Sequence, residues 1–449
     1  MTDRIGVVGA GTMGWGIAQL GCLGGFATVL HDPVPEALQA GAAKLREALD
    51  KGAERERWTR DEANAAAERL VVEQDLEGLA GCDLVVEAAP ESLELKRELF
   101  ATLEGVCGTE TVLATNTSSL SVTAIAAGLE HPERVCGMHF FNPPALMQLV
   151  EVVAGDASHE PALELVTQVA TAMGRTPIRA ADAIGFVANR CARPFSLEAL
   201  RLYGSGVSDP EQIDRIIRIG GGYRMGPFEL TDLVGVDVNF AVAKSFWEQS
   251  FHEPRWQPHP IQARMVAGGR LGRKSGRGYY DYANAEHRPP DPERGPPASS
   301  SQRDHEVESM VDWVAIPTLE EAVVVEIARK PTTTPEELSR AGMYFTALGK
   351  HVECLPRTAP GLVLGRILCQ LVNEAHFAVQ EGVASPGDVD TALRLGLNHP
   401  RGPFEWCEEI GAETVVETLD ALHAELGEER YRVAASLRAK AAAEASADG

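Results

Sequence analysis

The run Arg4 to Val8 is a short apolar strand, and Gly9-Ala10-Gly11-Thr12-Met13-Gly14 follows it at once, opening an apolar helix that reaches about Leu23. Three glycines at that spacing between a strand and a helix suit a parallel βαβ unit. Gly9 makes the tight turn, Gly11 lets another group approach the backbone, and Gly14 lets the helix sit against the strand. Ala27 to His31 reads as a second strand ending at Asp32, about 20 residues on, as a dinucleotide fold requires. The helix N-terminus offers N–H groups to phosphates. Asp32 would accept hydrogen bonds from a ribose and repel a 2′-phosphate, and Pro33, not an arginine, follows it. The unit is expected to bind NAD through Gly9, Gly11, Thr12, Met13, Gly14 and Asp32.

Further buried-strand candidates follow at Leu70 to Val72, Asp83 to Glu87, Thr111 to Ala114 and Val135 to His139, separated by helix or loop. That alternation predicts a mostly parallel sheet with right-handed crossovers. After about Ala183 the strands are expected to stop. Phe186 to Tyr203, Pro210 to Ile219 and Phe228 to Phe251 are helical in pattern, so an all-helical domain begins there. From Ala283 to about His305 the chain carries five prolines, three consecutive serines and many charges, the composition of a solvated linker.

Beyond the linker lies an internal repeat. Gly185-Phe186-Val187-Ala188-Asn189-Arg190 aligns with Gly361-Leu362-Val363-Leu364-Gly365-Arg366, an offset of 361 − 185 = 176. The same offset carries Glu198 onto Glu374, Asp214 onto Asp390, and Gly226-Pro227-Phe228-Glu229 onto Gly402-Pro403-Phe404-Glu405 without a gap. The C-terminal stretch is therefore a second copy of the helical domain. The expected divisions are 1–182 (Rossmann domain), 183–283 (helical copy 1), 284–305 (linker), 306–357 (a small shortened domain) and 358–449 (helical copy 2).

Composition narrows the function. The 449 residues suggest two to four domains. A net charge of −24 argues against a nucleic-acid or anionic-membrane surface. No apolar run is long enough to span a bilayer, and the start has no signal-peptide layout. The eight cysteines form no CxxC pair and nearly all sit in apolar runs, so reduced thiols in a cytoplasmic protein are expected. No metal-ligand set is expected.

Oxidising a secondary alcohol needs a group of near-neutral pKa beside the hydroxyl, and histidine fits. His139 ends a predicted strand, where a sheet of this kind opens its crevice. Glu151 follows a loop containing Pro143-Pro144, which lets the chain bring the carboxylate beside the imidazole; a satisfied core histidine near a surface glutamate is the other reading of the pair. Asn116-Thr117-Ser118-Ser119 comes directly after a strand and forms a cleft-edge loop. Ser119 or Ser121 can cap the following helix while Ser118 faces a substrate. Asn189, early in the first helix of the second domain, either reaches back toward the cleft or has no role.

With these motifs in view, the chain resembles the L-3-hydroxyacyl-CoA dehydrogenase family. The glycine fingerprint, Glu87-Ala88-Ala89-Pro90-Glu91, Asn116-Thr117-Ser118-Ser119, His139-Phe140-Phe141-Asn142-Pro143, Gly185 to Arg190 and Gly226-Pro227-Phe228-Glu229-Leu230 appear in family order. The resemblance covers residues 1 to about 283, and the repeat resembles the family's C-terminal domain again. It implies His139 as general base paired with Glu151, with Ser118 and Asn189 holding the substrate's 3-oxygen. Asn142 supports the histidine region, and Glu91 and Lys96 fall on the nicotinamide half of the cofactor. Asn116 and Asn142 complete the implied cofactor-binding set. The CoA moiety is implied to meet the helix after Asp32, where Lys44, Lys51 and Arg55 stand, with Ala48 in place of an expected serine.

The tandem layout resembles the longer bacterial 3-hydroxybutyryl-CoA and 3-hydroxyadipyl-CoA type. The helical domain dimerises in many family members, so the second copy is expected to pack on the first as an internal pseudo-dimer, leaving a monomer or a homodimer. Gly365 stands where Asn189 does, so one site per chain is expected and the second copy is structural. Two other classes stay open: a free hydroxy-acid or sugar-acid dehydrogenase on the same frame, and a non-catalytic NAD-binding protein.

Overall fold

The computed structural model describes residues 2–283, 286–292 and 303–447; of the expected linker, 284–285 and 293–302 lie outside the described residues. The chain divides into two compact units. The first takes residues up to Ala188 together with Gly382–Leu397, and the second takes Asn189–Glu381 and the chain from Asn398 onward.

In the first unit, β1 (Arg4–Val8), α1 (Thr12–Leu23), β2 (Ala27–His31), α2 (Pro35–Glu54), α3 (Arg60–Glu68) and β3 (Leu70–Glu73) form one half. The other half is β4 (Leu84–Glu87), α4 (Leu93–Val106), β5 (Val112–Thr115), α5 (Val122–Ala126) and β6 (Val135–Phe140), then β7 (Leu149–Ala154), α6 (Glu160–Ala172) and β8 (Thr176–Ala181). The sheet runs β3-β2-β1-β4-β5-β6-β7-β8. Every neighbouring pair is parallel except β6 with β7. Chain direction across the sheet reverses between β1 and β4, which opens a crevice at their carboxyl ends. The buried apolar strands supply the core, with α1, α2 and α6 packed on it.

The sheet has two strands more than the sequence pattern predicts. β7 is buried along nearly its whole length, but Glu151 at its third position interrupts the apolar run and gives it the look of a loop end. β8 alternates buried and partly exposed residues and contains Pro177, as an edge strand does.

In the second unit the helical elements of copy 1 are α7 (Ala188–Cys191), which straddles the boundary, α8 (Arg193–Gly204), α9 (Pro210–Gly221), α10 (Pro227–Val234), α11 (Val236–Gln249) and α12 (Pro260–Ala267). The helix expected from Phe228 to Phe251 is broken at Gly235, whose φ of +111° ends α10 and starts α11. The helix expected from Phe186 starts at Ala188, because Gly185 and Phe186 both have positive φ, +70° and +49°.

Strands do not stop at Ala183. After α13 (His305–Ser309), β9 (Val311–Val314), β10 (Val324–Arg329), α14 (Pro335–Ala347) and β11 (His351–Leu355) build a three-stranded sheet of order β11-β10-β9. β9 and β10 are antiparallel, and β10 and β11 parallel. This repeats the sequence β6, β7, α6, β8 of the first unit in element type and strand direction.

Copy 2 consists of α15 (Leu364–Gln380), α16 (Pro386–Thr391), a π-helical turn over Ala392–Gly396, α17 (Pro403–Ile410), α18 (Ala412–Leu426) and α19 (Ala435–Ala447). Within the second unit the two copies pack through α8 and α15 around one apolar core. Among the buried ion pairs that cross between the copies, two mirror each other. Arg190 Nε lies 2.9 Å from Glu374, and Arg366 Nε lies 2.5 Å from Glu198. Since 190 + 176 = 366 and 198 + 176 = 374, each pair is the image of the other under the repeat, as an isologous contact requires.

Candidate active site

At the crevice, the strand–turn–helix junction has the shape expected of it. Gly9 has φ of +100° and donates its N–H to the His31 carbonyl at 2.8 Å, so the turn is pinned to the end of β2. A Cβ on Gly14 would lie 1.6 Å from the Gly9 carbonyl oxygen, which leaves no room for any side chain there. A Cβ on Gly11 would meet nothing within 4 Å, and Gly11 and Thr12 are exposed at the start of α1. The first N–H groups of a helix have no partner inside it, so this open edge is chemically suited to a pyrophosphate. Asp32 accepts from Ala10 N at 2.8 Å and Val34 N at 2.9 Å. Each carboxylate oxygen still has capacity for a ribose hydroxyl. The residues present fit a dinucleotide.

His139 and Glu151 are direct cross-strand partners in the antiparallel register of β6 and β7. His139 Nδ1 stands 2.6 Å from Glu151 Oε2, with side-chain exposures of 5% and 0%. The other oxygen, Oε1, accepts the backbone N–H groups of Val187 at 3.0 Å and Ala188 at 2.8 Å. Those N–H groups are aimed by the left-handed Gly185-Phe186 turn, a backbone strain that persists only where its surroundings enforce it. An ionised carboxylate only accepts hydrogen bonds, so the proton between the pair belongs to Nδ1 and the lone pair of the neutral ring to Nε2. The Phe141 ring packs 4.5 Å from the imidazole centroid and Phe186 5.8 Å, which walls the ring from bulk water.

The loop after β5 is tied to both neighbouring strands. Asn116 donates its N–H to the Glu87 carbonyl at 2.8 Å, and its Oδ1 accepts from Phe140 N at 2.8 Å. Glu91 Oε1 accepts from Ser118 N at 3.1 Å and from Ser119 N at 3.2 Å and Oγ at 2.9 Å. Burial acts against ionisation of Glu91, but bonds from Thr117 and Ser119 and the Lys96 ammonium hold its carboxyl below the usual range. Ser118 is exposed beside these contacts, and Ser121 caps α5 by accepting from Ala124 N at 3.0 Å.

Lys96 takes an internal place. It is buried, with Nζ 2.6 Å from Glu87 and 3.4 Å from Glu91, and so neutralises two carboxylates from beneath the crevice. Glu87 is the residue whose role sequence reasoning left out. Fully buried at the end of β4, it also accepts from Thr115 Oγ1 at 2.6 Å and Ala89 N at 2.6 Å. A carboxylate closing an otherwise apolar strand was its signal.

Asn142 is exposed just beyond β6, and Asn189 is half-buried in α7 at the start of the second unit. On α2, Lys51 is exposed and pairs with Glu47 at 2.5 Å, Lys44 is exposed, and Arg55 is exposed at the C-cap.

The small sheet of the second unit carries a relic of the same constellation. Glu326 on β10 accepts from Val363 N at 2.8 Å and Leu364 N at 3.0 Å, the images of Val187 and Ala188 under the 176-residue offset. Gly361 and Leu362 repeat the positive φ values, +72° and +49°. Opposite Glu326 in the strand register, where Glu151 has His139, stands Val314. The carboxylate cradle is present here without a facing histidine. Burial pushes the Glu326 carboxyl up to about 8, the two backbone donors offsetting only part of that and Glu353 adding to it. A folded-state pKa above the unfolded value of about 4.3 gives stability present at low pH and lost as pH rises through about 8. Glu326→Gln should therefore flatten the decline in unfolding free energy between about pH 5 and 8, measured by urea denaturation. An unchanged slope would count against the assignment.

Among the described residues no group of three or more His, Cys, Asp or Glu side chains is arranged to hold a metal ion. Likewise, no described helix is long and apolar enough to cross a membrane.

The chain is similar to known proteins. Residues 4–183 match the family described as 3-hydroxyacyl-CoA dehydrogenase, NAD binding domain. Residues 185–282 and 361–447 both match 3-hydroxyacyl-CoA dehydrogenase, C-terminal domain. The chain is 38% identical to the 3-hydroxyadipyl-CoA dehydrogenase of Escherichia coli (strain K12), over 98% of this chain and 97% of that protein. It is 40% identical to a probable 3-hydroxybutyryl-CoA dehydrogenase of Bacillus subtilis (strain 168), over 62% of this chain and 97% of the relative. Among solved structures, a 3-hydroxybutyryl-CoA dehydrogenase from Escherichia coli K12 aligns with a TM-score of 0.90 at 37% identity, covering 100% of both chains.

Proposed function

The chain belongs to the 3-hydroxyacyl-CoA dehydrogenase family, and on that premise we propose that it oxidises (S)-3-hydroxyacyl-CoA to 3-oxoacyl-CoA with NAD, the acyl group being short or ending in a second carboxylate. One observation carries the mechanism: the buried 2.6 Å contact of His139 Nδ1 with Glu151. When bound, NAD supplies the acceptor for the hydride leaving C3. The chain's own residues do the rest. Ser118 and Asn189 hold the 3-oxygen, and His139 Nε2 takes the hydroxyl proton. Glu151 keeps the ring in the required tautomer and stabilises the imidazolium that forms. Gly11, Thr12 and Met13 at the start of α1 hold the pyrophosphate and Asp32 the ribose, while Glu91, Asn116 and Asn142 line the nicotinamide side above buried Lys96. Lys51 and Arg55 are proposed for the CoA end, where both side chains are exposed and basic.

The five-part division of the chain is proposed on the element pattern and the duplication. An internal pseudo-dimer, leaving a monomer or homodimer, is supported by the reciprocal pairs of Arg190 with Glu374 and Arg366 with Glu198. A cytoplasmic setting is proposed on the eight cysteines, which form no CxxC pair and of which seven are buried.

NADH consumption with acetoacetyl-CoA and 3-oxoadipyl-CoA tests the reading. Turnover of one or both is expected, without turnover of free hydroxy acids by NAD reduction. His139→Gln should abolish turnover, by about 10³-fold or more, while NADH still binds with unchanged affinity. Near wild-type turnover in that variant refutes the base assignment.

A further inference from the structure

One segment of the helical repeat belongs to the catalytic unit. Gly382–Leu397, from copy 2, forms a single compact body with the Rossmann domain. Ala181 N donates to the Val383 carbonyl at 2.8 Å, which fastens the segment to the end of β8. Farther along, the π-helical turn Ala392–Gly396 lies against β7. Its last residue makes the close approach. A Cβ on Gly396 would lie 2.6 Å from Leu149 Cδ2 and 3.4 and 3.5 Å from the Phe141 ring.

Those two neighbours are not arbitrary. β6 and β7 pair His139 with Glu151 and Phe140 with Val150. Continuing the register sets Phe141 opposite Leu149, and the period of two puts both on the sheet face that carries the dyad. Phe141 in turn packs at 4.5 Å from the His139 ring. A side chain at 396 would reach the Phe141 ring, and that ring packs on His139.

The repeat provides an internal comparison. A Cβ on Gly220, the image of Gly396, would lie 3.1 Å from Leu364 Cδ2 and 3.4 Å from Val324 Cβ on the small sheet, and Val324 begins β10 as Leu149 begins β7. There the chain is plain α-helix through Gly221. Only the copy that faces the working dyad departs to a π turn, a conformation that is rare and concentrated at functional sites.

We propose that the π turn Ala392–Gly396 is a positioning element for the catalytic histidine: it fixes the Phe141 ring against His139, so the second helical copy serves the reaction as well as the fold. This rests on the dehydrogenase reading, and its test separates the two. Full-length wild type, Gly396→Ala, Gly220→Ala, Leu149→Ala and the Leu149→Ala/Gly396→Ala double variant are compared with acetoacetyl-CoA and NADH across pH 5 to 10.

Gly396→Ala is expected to lower kcat about tenfold and move its pH profile, with KM for NADH within about twofold of wild type. Gly220→Ala, with the same methyl at the relic site, should leave kcat within about twofold. Leu149→Ala loosens the wall and lowers kcat, and the methyl at 396 should recover at least about half of the loss. If Gly396→Ala does not accumulate as folded protein, this last pair carries the comparison. The proposal is overturned if Gly396→Ala matches Gly220→Ala, or if the added methyl fails to offset Leu149→Ala. Should wild type leave both acetoacetyl-CoA and 3-oxoadipyl-CoA unchanged, the dehydrogenase reading fails by itself. The histidine ring resonances then decide the positioning role, with the His139 signal identified by its loss in His139→Gln. Its chemical shifts move in Gly396→Ala and not in Gly220→Ala if the role holds; unmoved shifts overturn it.

Discussion

Glu151→Gln will lower kcat by about 10³- to 10⁴-fold while leaving NADH affinity and the folded structure intact. The size of the effect follows from the hydrogen-bond inventory. Glutamine is nearly isosteric, and its carbonyl oxygen still satisfies Val187 N and Ala188 N, which hold Glu151 Oε1 at 3.0 and 2.8 Å. Its amide then occupies the position 2.6 Å from His139 Nδ1, and an amide NH₂ only donates. Nδ1 becomes the acceptor, the ring proton moves to Nε2, and the lone pair that should receive the hydroxyl proton is gone. The variant should also lose the stabilisation of the imidazolium. Initial rates with acetoacetyl-CoA over a range of pH, beside NADH fluorescence titration, read both quantities. A kcat within about tenfold of wild type would mean that Glu151 does not set the tautomer.

Glu374→Ala is the most destabilising single change expected in the helical unit, at about 3–5 kcal/mol. Glu374 is 2% exposed and receives Arg190 Nε and Arg255 Nη1, each at 2.9 Å. Burial pushes its carboxyl up against the pull of Arg255 and Arg190, which shows how far the site depends on the pairing being complete. Removing the carboxylate leaves two guanidinium groups, 3% and 7% exposed, that share the half-exposed Glu381, with Glu253 beside Arg255 alone. A surface pair gives the contrast. Arg438 and Asp420 meet at 2.5 Å with 52% and 47% exposure, so Asp420→Ala should cost less than about 1 kcal/mol. Urea unfolding followed by tryptophan fluorescence distinguishes the two, and equal losses would refute the argument.

What the sequence conveyed depended on whether the chemistry lived in side chains or in backbone. The glycine fingerprint, Asp32, His139 and the repeat all carry their meaning in residue identity, and each sits where its pattern predicted. Glu151 was recognised as a partner but not as a strand residue, because a carboxylate inside an apolar run looks like the end of that run. Its second anchor was invisible: the N–H groups of Val187 and Ala188 have no side-chain signature, and the turn that aims them puts Phe186, a residue with no preference for positive φ, at +49°. Lys96 was given to the nicotinamide half of the cofactor by resemblance alone, since nothing in its helix reveals that it is buried against two carboxylates. The π turn escaped because the repeat equates Ala392–Gly396 with a stretch of ordinary helix.

Carrying both helical copies on one polypeptide changes how the assembly answers to dilution. The interface between separate subunits weakens as protein concentration falls, and any stability it lends falls with it. Here the ion pairs of Arg190 with Glu374 and Arg366 with Glu198 meet at an effective concentration set by the intervening chain. The contact between the two copies should therefore hold equally well at nanomolar and micromolar protein. Fusion also frees the two halves from sharing a sequence. In a symmetric dimer, exchanging the histidine for valine would change both halves at once; on a fused chain valine stands opposite Glu326 at Val314 while His139 stays opposite Glu151.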